Sequence, residues 1–249
     1  MIEFLIVILI FVLSFISGML GLGVAFVAIP VLGLFGFELI HVIMPWALLL
    51  NGLTSIAAAV KFMQKKMVDY KTAIPLLLIT TAVAPLGVYL LRFVDETTVW
   101  WIFVGVLLFL AYRMAFVKPK SDKDLTELPN KQRVKGGFLS AGIGTFAGFL
   151  GVGPGFLMMP TLVMLGYSAR IAAATNALIV TLPSFSAFVA HIPKAQFDWT
   201  IVIITSIVAV IGAQLGAAFM ASKVKSKTLA QIFALVLVGL AAYRIYLLL

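Results

Sequence analysis

Apolar residues come in long unbroken runs along this chain, separated by short polar clusters. Residues 40–60, 73–91, 99–117, 171–192, 199–221 and 229–249 are each apolar for roughly 20 residues, the length an α-helix needs to cross ~30 Å of hydrocarbon. None of them alternates apolar and polar positions as a barrel strand would, so membrane-spanning helices are the form the pattern predicts. One further run, residues 4–35, is too long. As a single straight helix it would measure ~48 Å.

That long run is interrupted at its centre by Gly18-Met19-Leu20-Gly21-Leu22-Gly23, and a second copy reads Gly148-Phe149-Leu150-Gly151-Val152-Gly153-Pro154-Gly155. Glycines this dense weaken a helix, and Pro154 cannot continue one but suits a helix start. Two helical arms meeting at a Gly turn are expected in each copy, either as a re-entrant hairpin or as a broken spanning helix. Two glycine-rich packing helices of the small-xxx-small kind are the other reading; Pro154 and the repetition at one internal place argue against it.

The repetition extends well beyond the glycines. Gly18, Gly21, Gly23, Phe26, Pro30 and Gly36 recur as Gly148, Gly151, Gly153, Phe156, Pro160 and Gly166, all at a spacing of 130. Ala111-Tyr112-Arg113 recurs as Ala242-Tyr243-Arg244, and Asp69 as Asp198. The chain therefore reads as two halves: residues 1–117 and 136–249 as transmembrane repeats, with a basic cytoplasmic linker at 118–135. Each repeat is expected to hold a Gly-broken first segment followed by three transmembrane helices, giving an all-α polytopic membrane protein.

Composition agrees with the pattern: 63% of the 249 residues are hydrophobic and only 11% are charged, against about 25% charged in a soluble domain. No positive residue precedes Lys61, so the basic n-region of a cleaved signal peptide is missing. With no cysteine, disulfides and thiolate metal sites are excluded. The net charge of +9 does not point to nucleic acid, because the lysines and arginines sit in short loops between spans. The loops at 61–71, 113–135 and 223–227 are basic, whereas 92–96 and 193–198 are balanced. All three basic loops reach the cytoplasm only if the broken segment returns to its starting side. The second half is then inserted upside down relative to the first, with both termini outside.

Inverted repeats with interrupted helices belong to secondary transporters, whose substrate sits near the midplane where the breaks meet. A helix that starts after a Gly turn aims unpaired N–H groups and the positive end of its dipole into the membrane, which favours an anion. The expected substrate site comprises Gly21, Gly23 and Val24 of the first turn and Gly151, Gly153, Gly155 and Phe156 of the second. The following helices add Asn51 and Thr54, which correspond to Thr181 and Ser184 at a spacing of 130. Lys61 corresponds to His191, and each set of three falls within a helical sector of ~80°. A lone Ser or Thr in a helix commonly bonds back to its own backbone; stripes matched in both halves carry more weight. Lys61 reads first as an interfacial residue that sets orientation, and the sharper reading makes Lys61 and His191 pathway charges.

The paired Gly motifs, the two equal halves and the basic central linker resemble the sulfite exporter TauE/SafE family, also called the toluenesulfonate uptake permease superfamily. The resemblance covers essentially the whole chain. It implies a multi-pass plasma-membrane transporter of sulfite, an organosulfonate or a related small anion in a bacterium or archaeon. The substrate within that class, the direction of transport, the coupling ion (proton or sodium) and the oligomeric state are not set by the sequence. Membrane lipid is the expected surroundings, with no nucleic-acid partner, no cofactor and no metal.

Enzymatic readings do worse. No Gly-x-Ser-x-Gly elbow accompanies Ser184, Ser186 and His191, no His-Glu-x-x-His joins His41 and His191, and no P-loop occurs. An anion channel of the same architecture is the alternative to a carrier.

Overall fold

Residues 2–116 and 127–223, together with residues 238, 239, 242, 245 and 246, are described by a computed structural model. Most of the span expected at 229–249, half of the linker, and Tyr243 and Arg244 of the second tripeptide lie outside the described residues.

The described chain is helical throughout: α1 (Ile2–Leu20), α2 (Ala25–Gly33), α3 (Met44–Gln64), α4 (Tyr70–Leu90), α5 (Glu96–Phe116), α6 (Asn130–Leu150), α7 (Gly155–Leu165), α8 (Ala169–His191) and α9 (Trp199–Lys223). One π-helical turn, Leu39–Ile43, leads into α3. Side-chain caps start several of these helices, satisfying N–H groups that have no partner within the helix. Asp69 accepts from Thr72 N–H before α4, Asp95 from Thr98 N–H before α5, and Ser168 from Ile171 N–H before α8.

The expected breaks are present in both halves, and the same bonds make them. Leu22 N–H donates to the Ser17 carbonyl, and Val152 N–H to the Ala147 carbonyl. These are the six-to-one bonds of a Schellman ending, with Gly21 and Gly151 in the left-handed conformation it needs. The next helix then opens at Val24 or Pro154, whose carbonyls accept from Ala28 and Met158 N–H. The arms are unequal, since α1 and α6 have span length whereas α2 and α7 run only 9 and 11 residues.

Packing follows the same register. A Cβ at Gly18 would overlap the backbone of Ala213, and one at Gly148 the backbone of Ala84. Likewise Gly216 lies on the Phe15 carbonyl and Gly87 on the Thr145 carbonyl. Small residues thus bring α1 onto α9 and α6 onto α4 at backbone contact.

Helices α3 and α8 form the centre. Their most apolar windows are 78% and 72% buried, against 39% for α1, α4 and α9. They run antiparallel: the His41 carbonyl accepts from Gln196 N–H at one end, Asn51 meets Ser184 midway, and Phe62 clusters with Ala172 and Ala173 at the other. By contrast α4 runs parallel to α8, with Asp69 N–H on Thr175 and the Thr81 carbonyl on Ser186.

The outer helices turn apolar side chains outward. Ile203, Ile207, Ile211 and Leu215 make an exposed stripe along α9, and Ile74, Leu78 and Leu86 are exposed on α4. Such faces need lipid rather than water. Five helices among the described residues are long and apolar enough to cross a membrane.

Candidate functional site

The two Gly turns meet in the middle of the bundle. A Cβ on Gly155 would overlap the Leu22 carbonyl, so the second turn rests on the backbone of the first. Phe26 and Phe156, the first aromatic residues after each turn, stack face to face with ring centres 5.1 Å apart and planes 3° apart.

Asn51 of α3 fills the space between Gly23 and Gly153 and is fully buried. Its Oδ1 accepts from the Ala25 N–H at 2.9 Å, which caps the first turn of α2. Its Nδ2 donates to Ser184 Oγ at 2.8 Å, and Ser184 Oγ donates on to the Val180 carbonyl at 2.7 Å. One amide therefore joins α2, α3 and α8. The partner of Asn51 across the bundle is thus Ser184, not the register-matched Thr181. Thr181 bonds back to the Leu178 carbonyl and Thr54 to the Leu50 carbonyl. Pro154 offers the start of α7 no side-chain cap of its own.

Sequence reasoning missed Asn176. Its Nδ2 donates to the Gly21 carbonyl at 2.7 Å and to the Gly155 carbonyl at 3.0 Å, spanning both turns. Its Oδ1 is buried without a hydrogen-bond partner among the described residues. The signal was a lone amide within an apolar span, where a polar side chain is costly unless it is paired. The repeat register hides it, because the position 130 residues earlier is Trp46.

Of the remaining expected residues, Gly21 packs on the Ala173 carbonyl, Gly151 on the Met44 side chain, and Val24 is buried. Lys61 is half-buried in the last turn of α3. His191 ends α8, is buried, and leaves its Nε2 without a partner among the described residues. Because α3 and α8 run antiparallel, Lys61 and His191 lie at opposite ends of the bundle and away from the turns.

A second buried polar cluster ties the two halves together at the Lys61 end. Asp69 accepts from Tyr167 Oη, from Thr72 N–H and Oγ1, and from Leu128 N–H. Burial pushes its carboxyl up, but the bonds from Tyr167, Thr72 and Leu128 outweigh that and hold it below the usual value of 3.8. Burial and the Asp69 carboxylate raise the Tyr167 phenol well above its usual range, so it stays a donor. A carboxyl titrating lower when folded stabilises fully above its unfolded value, and that stability disappears as pH falls. The tie is therefore expected to hold across the neutral range and to weaken only below about pH 3.8. Asp69→Asn should lower stability by about 1.5–3 kcal/mol, the scale of a hydrogen bond to a charged group. Thermal unfolding in detergent checks this, and an unchanged melting temperature would refute the tie.

Comparison with known proteins agrees with the architecture. The family described as Sulfite exporter TauE/SafE matches residues 6–244. A curated relative from Bacillus subtilis (strain 168), named "Probable membrane transporter protein YunE", is 24% identical over 254 residues, covering 93% of each chain. No solved structure matches significantly.

Proposed function

The chain belongs to the sulfite exporter TauE/SafE family, and from that premise we propose that it is a secondary transporter moving sulfite, an organosulfonate or a related small anion across the plasma membrane of a bacterium or archaeon. The observation that carries this reading is the meeting of two broken-helix starts around Asn51 in the buried centre. In this reading residues 1–117 and 136–249 are inverted repeats joined by the linker 118–135, and they rock around the turns in alternating access. The antiparallel run of α3 and α8, register-matched by Asn51 and Thr181, supports inversion, as does the parallel run of α4 and α8. The packed centre favours a carrier over a channel.

The anion is received by the N–H groups at the starts of α2 and α7, where the helix dipoles favour negative charge. Asn51 holds the α2 start closed by capping Ala25. When the halves move apart, its amide NH₂ and the hydroxyls of Ser184 and Thr181 offer donors to the anion in place of their present partners. A hydroxyl bonded back to its own helix can make that exchange cheaply, since its backbone carbonyl keeps its helical bond.

Charge sets the orientation. Lys61, Lys65, Lys66, Lys71, Arg133 and Arg170 gather at the end marked by Asp69, whereas Arg92 and Lys194 at the other end are balanced by Glu38, Asp95, Glu96 and Asp198. The basic end belongs in the cytoplasm. Single cysteines test this cleanly, because the chain has none of its own. Lys66→Cys, Thr97→Cys and Lys194→Cys all lie at exposed positions, and Thr97 spares the Asp95 cap. A membrane-impermeant thiol reagent added outside should label positions 97 and 194 and leave 66 unlabelled. Labelling of 66 together with 194 would overturn the inverted arrangement.

A further inference from the structure

Away from the centre, α4 and α6 touch at Gly144, Gly148 and Gly87 and separate toward the basic end. The separation leaves an open lateral groove of about 610 Å³. Its floor is apolar, with Pro75 and Ile79 on one side and Gly137 and Phe138 on the other. Phe138 is 81% exposed at the rim, a position that suits hydrocarbon and not water.

The upper end of the groove is polar and basic. Lys71 and Arg133 line it; both lean on Glu127, at 3.0 and 3.6 Å. Among the described residues, Lys71, Arg133, Lys131 and Lys135 outnumber the carboxylates of Glu127 and of the buried Asp69, which Thr72 of the groove bonds. The Arg133 Nε is buried with no hydrogen-bond partner among the described residues. Lys131 and Lys135 are exposed on the same first turns of α6. We propose that this groove is a binding site for an anionic glycerophospholipid, with the phosphate against Lys71 and Arg133 and one acyl chain along Pro75, Ile79 and Phe138.

Charge complementarity selects this occupant. A basic pocket between spanning helices at the cytoplasmic surface attracts anionic headgroups, and the apolar floor continues directly below it. The related crossing of α1 on α9 makes an internal contrast. It packs through Gly18 and Gly216 in the same way, but α1 carries Glu3 and no basic residue. The site would hold α4 and α6 together where their backbones part, beside the Asp69 tie.

The test compares thermal unfolding of the detergent-purified protein on adding phosphatidylglycerol, phosphatidylcholine or inorganic phosphate. Phosphatidylglycerol should raise the melting temperature by several degrees more than phosphatidylcholine, and inorganic phosphate should not reproduce the effect. Lys71→Gln with Arg133→Gln should remove the difference between the lipids. Gly137→Phe fills the groove without changing charge, and Gly137 has only ordinary contact with Ile79 to disturb; it too should remove the difference. Equal stabilisation by both lipids would overturn the proposal. So would full stabilisation by phosphate alone, or a Gly137→Phe protein that keeps the phosphatidylglycerol preference.

Discussion

Gly23→Leu and Gly153→Leu are expected to reduce transport to background while each protein still inserts and purifies as a monodisperse species. Both glycines have positive φ, +78° and +70°, which costs an L-residue roughly 1–2 kcal/mol. Both also face the Asn51 amide, and a Cβ at either would overlap it. The amide cannot step aside cheaply, because Ala25 and Ser184 hold it at its two ends. Forcing the centre apart adds about 1–3 kcal/mol of overpacking, and the sum of about 2–5 kcal/mol corresponds to a shift of roughly 30-fold to several thousand-fold in the balance of conformations. Gly36 supplies the control. It has the same φ of +78°, but a Cβ there would meet no atom within 4 Å, so Gly36→Leu carries the strain without the overlap and should transport. Inactivity in all three variants would assign the loss to backbone strain and remove the turns from the mechanism. Degradation of the Gly23 and Gly153 variants would instead make the turns a folding requirement.

Asn51→Leu is expected to cut transport by at least ten-fold. The substitution keeps the branching and heavy-atom count of the side chain but leaves the Ala25 N–H unpaired in a buried site, at a cost of about 1–3 kcal/mol. It also removes the amide donors proposed to meet the anion. Ser184→Ala should be milder, since Ala25 stays capped, although one Asn51 N–H loses its acceptor and the anion loses one proposed donor. The two changes act on one hydrogen-bonded chain, so the double variant should resemble Asn51→Leu alone and not the sum of both. Concentration-dependent uptake in proteoliposomes measures this. Wild-type uptake in Asn51→Leu would remove the amide from the site.

The spans and the two breaks are readable from the chain because both are local. Hydrophobic length reports the bilayer, and dense glycine reports a helix that ends. Asn51 is readable for a different reason: it is a polar residue in an apolar run, next in order after a turn. Its partner is not, because the 130-residue register points to Thr181, whereas the helix crossing selects Ser184. Asn176 and the pair Asp69–Tyr167 escape for the same cause. The register matches equivalent positions of the two halves, but the bonds from Asn176 to Gly21 and from Tyr167 to Asp69 join non-equivalent ones across 155 and 98 residues. Repeat matching also reads Asp69 only as the counterpart of Asp198. The two differ in surroundings, since Asp69 is buried under Tyr167 and Asp198 is a cap of α9 that bonds Thr200 N–H at the exposed surface.

Uptake of labelled sulfite into proteoliposomes preloaded with unlabelled sulfite tests the central claim most directly. A carrier that alternates around the two turns should exchange one anion for another with a rate that saturates as external sulfite rises. A small organosulfonate inside should support the same exchange, and Gly153→Leu should abolish it. Flux that rises linearly with concentration and ignores the internal anion would contradict the account and identify an open conduction path instead.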